Sequence, residues 1–133
     1  MSSIKKISLP ILLFVIILLV AYQANENDLL FVGEGENWSA KLIATQINGE
    51  ENYQIQLHYK GNNIQEIDNF TYYIDTKNNG IINFEVENAS LSQEGIYQNN
   101  FLISNSPSTS TKDELEIKVE WSGNHESFNL LID

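Results

Sequence analysis

From Tyr53 to Lys60 the side chains alternate strictly: Tyr53, Ile55, Leu57 and Tyr59 against Gln54, Gln56, His58 and Lys60. A repeat of two puts each set on its own face of an extended strand, one buried and one wet, and does not fit a helix of 3.6 residues per turn. The pattern returns in Leu115, Ile117, Val119 and Trp121, and again in Phe70, Tyr72 and Ile74. It is also present in Ile82, Phe84 and Val86, and in Phe128, Leu130 and Ile132. Trp38–Ile47 reads as a further strand and Gly95–Ser104 as a weaker one. Between these runs stand Asn48-Gly49, Gly61-Asn62-Asn63, Asn78-Asn79-Gly80 and Ser122-Gly123-Asn124, residues that tolerate the positive φ of tight hairpins. About seven short strands joined in this way predict an all-β fold, an antiparallel immunoglobulin-like β-sandwich spanning residues 29–133 as one domain. Ser104–Lys112, rich in Ser and Thr, reads as a mobile loop.

Residues 1–28 are of another kind. Lys5 and Lys6 precede an apolar run from Leu9 to Tyr22, interrupted only by Pro10. A positive start followed by such a run is the form of an export signal, and the lysines hold their end in the cytoplasm. Cleavage requires small residues at −3 and −1, and cutting after Ala21 or Ala24 leaves Leu19 or Tyr22 at −3. With no cysteine there is no lipid attachment site. Counted from Ile7 to Ala24 the segment just reaches the length that spans a bilayer as a helix, about 20 residues. The expectation is therefore an uncleaved anchor: a single-pass cell-membrane protein with its C-terminal domain extracellular. Secretion after cleavage is the alternative.

Charge narrows the partners. The net charge is −11, and the chain beyond residue 24 sets five lysines against all 18 acidic residues. A surface of this sign repels phosphate backbones and anionic headgroups, so nucleic acid is not an expected partner. The absence of cysteine removes disulfides, thiolate metal sites and thiol nucleophiles. A domain of about a hundred residues must then hold together by its core.

The remaining residue types offer little catalysis. His58 falls on the polar face of a strand and His125 in a hairpin turn. Asp75-Thr-Lys-Asn-Asn-Gly80 begins like a calcium loop, but Lys77 occupies the third position and Val86 the twelfth, where a bidentate Glu is needed. The carboxylate pair Glu114/Glu116 shares one face of an amphipathic strand, and Glu34/Glu36 and Glu85/Glu87 are read in the same way. No enzyme, no metal and no cofactor are expected. The most distinctive segment is Phe31-Val-Gly-Glu-Gly-Glu-Asn-Trp38. Its glycines allow a bend and Trp38 suits the end of a core; alternatively Glu34, Glu36 and Trp38 form an acidic and aromatic rim that binds sugar, peptide or Ca²⁺.

Phe31-x-Gly33-Glu34-x-x-Asn37-Trp38, Leu57-x-Tyr59-Lys60-Gly61, Val119-x-Trp121-x-Gly123 and Glu126-x-Phe128-x-Leu130 resemble a group of small, uncharacterised bacillus-type lipoproteins and membrane-anchored surface proteins. The resemblance covers residues 31–130 and implies a β-domain at the surface of a Gram-positive cell, with no activity to carry over. Many members carry a lipobox and this chain does not, which leaves the hydrophobic segment as its tether. The expected function is a non-enzymatic, membrane-tethered β-domain acting through contacts with cell-envelope proteins or in an envelope-structural role.

Overall fold

The computed structural model describes residues 28–77, 83–104 and 109–133. The expected N-terminal helix, the Asn78-Asn79-Gly80 turn and Ile82 lie outside them. Eight strands are formed: β1 (Leu29–Glu34), β2 (Trp38–Ile47), β3 (Glu50–Tyr59), β4 (Phe70–Thr76), β5 (Asn83–Ala89), β6 (Ile96–Ser104), β7 (Leu115–Trp121) and β8 (Asn124–Ile132). The fold is all-β, and every strand pairing is antiparallel.

The strands are ordered β5-β4-β7-β8-β1-β2-β3-β6 in one sheet that nearly closes into a barrel. This departs from the expected pair of stacked sheets. The bridge is β8: Asn124–Leu130 pair with β7, and Leu131 and Ile132 continue alongside β1. Alternation of apolar and polar residues is the same in a sandwich and in a barrel, so it does not distinguish them. The extra strand is β1, whose Gly33 and Glu34 weaken its apolar pattern.

Hairpin chemistry sits where the sequence places it at two of the expected turns, whereas Gly61-Asn62-Asn63 leads from β3 into a single 3₁₀ turn, Ile64–Glu66, without positive φ, and β3 does not pair with β4. Asn48 (φ 54°) and Gly49 (φ 79°) join β2 to β3, and Ser122 (φ 45°) and Gly123 (φ 77°) join β7 to β8. Two consecutive positive φ values match the right-handed twist of the flanking strands.

Inward side chains from all parts of the sheet form one core that includes Phe31, Leu42, Tyr53, Ile55, Leu57, Tyr72, Ile74, Leu115, Ile117 and Leu130. Each such aliphatic or aromatic side chain contributes about 1.5–3 kcal/mol by leaving water. One inward position carries a charge-bearing group. Glu51, two residues before Tyr53 on the same face of β3, is fully buried. Its carboxylate accepts hydrogen bonds from the Thr109 backbone N–H (3.0 Å) and from the Thr109 hydroxyl, and Gln46 Nε2 donates to it at 3.3 Å. Thr109 Oγ1 also lies 2.7 Å from the Tyr53 hydroxyl, and Gln46 Nε2 donates to the Thr109 carbonyl at 2.9 Å. Thr109 is thus buried and fixed, which corrects the reading of Ser104–Lys112 as mobile at that residue.

Candidate functional site

The segment from Gly33 to Trp38 turns the chain from β1 into β2, with Gly35 N–H donating to the Trp38 carbonyl at 2.8 Å. Between the strands, Gly35–Asn37 leave the N–H of Asn37 outside the ladder, and β8 supplies an acceptor. The Glu126 carboxylate accepts from the N–H of Asn37 (2.9 Å), the N–H of Trp38 (3.2 Å) and the Asn37 side-chain amide (2.8 Å). From the other side Lys60 N–H donates to the Asn37 carbonyl at 2.8 Å, and Lys60 Nζ to the Gly35 carbonyl at 2.7 Å.

Both glycines are demanded by close approach. A Cβ on Gly33 would lie 2.0 Å from the backbone carbonyl oxygen of Asn129, where β8 crosses β1. A Cβ on Gly35 would lie 2.0 Å from a Glu126 carboxylate oxygen. The glycines therefore let β8 and its carboxylate reach the turn.

Of the three residues singled out as a binding rim, the structure brings Glu34 and Glu36 to the surface and sends Trp38 inward. The Trp38 side chain is fully buried. It packs at a tilt against Phe70 (centroids 5.0 Å) and Tyr59 (5.2 Å) and edge-on against Trp121 (5.6 Å), closing this end of the barrel. Trp121 is buried as well. Neither indole lies on the surface beside the two carboxylates.

Glu34 borders a groove of about 410 Å³ on the outer face of β1, β2 and β3, together with Val32, Lys41, His58 and Lys60. Lys60 Nζ lies 3.2 Å from Glu34 Oε2, an exposed pair that contributes little to stability. Burial lowers the pKa of Lys41, against the attraction of Asp133. Burial and then the neighbouring charge of Lys60 lower that of His58, favouring its neutral imidazole. In the sequence His58 is set aside as a polar-face residue and Lys41 is not singled out, because single polar residues on a wet strand face carry no distinguishing mark. The strand register shows why they share a groove: Ser39 pairs with Glu34 on one side and with His58 on the other, and Lys41 is two residues further on the same face. Among the described residues no group of three or more His, Asp or Glu side chains is placed to hold a metal ion. Among the described residues, too, no helix is long and apolar enough to cross a membrane.

No protein-family model, curated protein or solved structure matches this chain.

Proposed function

We propose that this protein is a non-enzymatic, membrane-tethered domain displayed outside the cell, acting through contacts with other envelope proteins. The observation that carries the reading is where the chain enters the fold. β1 starts at Leu29, with six residues between it and the apolar segment of residues 9–22, and pairs there with Ala44 near the β2–β3 hairpin. The Glu34–Trp38 turn is at the opposite end of β1, so a tether at residues 1–28 directs that turn away from the membrane. The carboxylates noted in the sequence, Glu34, Glu36, Glu85 and Glu87, stand exposed on strands and turns, as they do on an interaction surface.

The rival reading, recognition of sugar, peptide or Ca²⁺ at Glu34, Glu36 and Trp38, loses its stacking platform because Trp38 is in the core. The test is fractionation of cells making the full-length chain, with protease treatment of intact cells. Retention in membranes at high salt and alkaline pH, with the domain accessible to external protease, supports the proposal. A soluble form beginning near Asn25 overturns the tether.

A further inference from the structure

The open seam of the barrel lies between the two outer strands, β5 and β6. Each pairs on one side, β5 with β4 and β6 with β3, and among the described residues no ladder joins them. They meet through aromatic rings instead, with Phe84 of β5 and Phe101 of β6 at a centroid distance of 5.1 Å.

Strand edges that must stay unpaired are normally blunted with charge, proline or extreme shortness. β6 has none of these: Ile-Tyr-Gln-Asn-Asn-Phe-Leu-Ile-Ser is nine residues without a charge or a proline, and its one irregularity, between Leu102 and Ser104, lies beyond a regularly paired stretch from Ile96 to Phe101. A second observation comes from Asn99. It sits between Tyr97 and Phe101 on the inward face, opposite the core residue Ile55, yet it is exposed. Its side-chain amide donates to the Tyr97 hydroxyl at 2.9 Å. Water therefore reaches the inner side of the sheet along this seam.

The two lips differ in charge. On β5, Phe84 and Val86 pack against the core, which turns the exposed Glu85 and Glu87 outward. Asp75 of β4 and Glu116 and Glu120 of β7 continue the acidic outer face, where Lys118 supplies the one cation on those strands.

Resting on the reading of this domain as one that acts through protein contacts, we propose that the edge of β6 takes up an extended segment of a partner protein as a ninth strand. That segment alternates apolar and cationic residues. Its main chain pairs with β6, its apolar side chains cover Phe84, Tyr97 and Phe101, and its Lys or Arg side chains meet Glu85 and Glu87. Main-chain pairing supplies affinity in such strand addition, and alternate side chains supply the choice of partner. Charge complementarity speeds encounter and makes it sensitive to salt.

The probe is a nine-residue, end-capped peptide alternating Val and Lys, added to the full-length chain in non-ionic detergent. Expected are saturable binding at low salt and new hydrogen-exchange protection within residues 96–101. A peptide with Glu in place of Lys should bind at least about tenfold more weakly, and the E85K/E87K variant should reverse that preference. N-methylation of one of the two alternate sets of peptide amides should abolish binding. No binding of the lysine peptide, binding that survives both N-methylation patterns, or protection confined to other strands would overturn the proposal. Failure here with the domain still at the outer membrane surface removes strand addition and leaves the display reading. Peptide binding by a protein that proves soluble does the reverse.

Discussion

Glu126 on β8 holds the backbone N–H of Asn37, 89 residues earlier in the chain, at 2.9 Å. One carboxylate thereby joins the C-terminal strand to the turn between the first two strands. Charge-assisted hydrogen bonds of this kind are stronger than neutral ones, and removing the acceptor leaves partly buried donors without a partner. Glu126→Ala should cost about 2–3 kcal/mol, and Glu126→Gln less, because an amide carbonyl still accepts from one N–H. Urea unfolding checks this through a fall in midpoint with an unchanged slope.

The two glycines of the turn should respond differently. At Gly33 the obstructing atom is backbone, the Asn129 carbonyl, so Gly33→Ala must displace β8 and should cost about 3 kcal/mol or more. At Gly35 the obstruction is the movable end of Glu126, so Gly35→Ala acts by pushing that carboxylate off its donors. Gly35→Ala and Glu126→Ala then remove the same interaction, and the double variant should fall well short of the sum of the singles. Additive costs in a double-mutant cycle would refute this account of Gly35.

Legibility in the sequence followed the distance over which each feature is determined. Alternation in Tyr53–Lys60 or Leu115–Trp121, and turn pairs such as Asn48-Gly49, are settled by neighbouring residues and were readable. So was Trp38 as the closure of one end of the core. β1 was missed because Gly33 interrupts its pattern, and the reason for that glycine is Asn129, 96 positions away. The partnership of Glu126 with Asn37 is equally remote, and in the sequence Glu126 is one acid among 18. Whether the sheet forms a sandwich or a near-barrel rests on how β8 divides its pairing between β7 and β1, which no local pattern encodes. At the candidate site, Glu34 and Glu36 are exposed as read, though Glu36 lies in the turn beyond β1 rather than on a shared strand face, whereas Lys41 and His58 join Glu34 through strand register alone.

Thr109 offers a test of the opposite end of the barrel. Its hydroxyl touches both Glu51 and Tyr53, and its backbone N–H completes the shell around the buried carboxylate. Thr109→Val preserves shape and removes the hydroxyl, leaving Glu51 short of a donor in a site with no access to water. The expected cost is about 1–3 kcal/mol. Lys112 is already exposed, and release of the segment should free the backbone around it, so trypsin should cut there faster than in the parent protein. Unchanged cleavage together with unchanged stability would show that Glu51 is held by its other donors alone.

Alkaline pH should act through the buried phenols. Burial holds the Tyr53 and Tyr72 hydroxyls well above their ordinary value, and the hydrogen bond from Tyr72 to Tyr97 reinforces the shift at Tyr72. Tyr73, on the outer face, is pushed up to about 12, first by its hydrogen bond to the Glu120 carboxylate. In the unfolded chain these groups titrate near about 10. Above that pH the unfolded state therefore gives up protons that the folded state keeps, and folding loses stability. The contribution is fully present below about pH 10 and declines as pH rises toward the folded values. Tyrosinate absorbance followed together with circular dichroism should show Tyr53 and Tyr72 ionising only as the sheet unfolds. Tyr72→Phe, which removes one of these groups, should make the loss of stability with pH shallower above about pH 10. Full ionisation of all six tyrosines with the sheet still folded would refute the assignment.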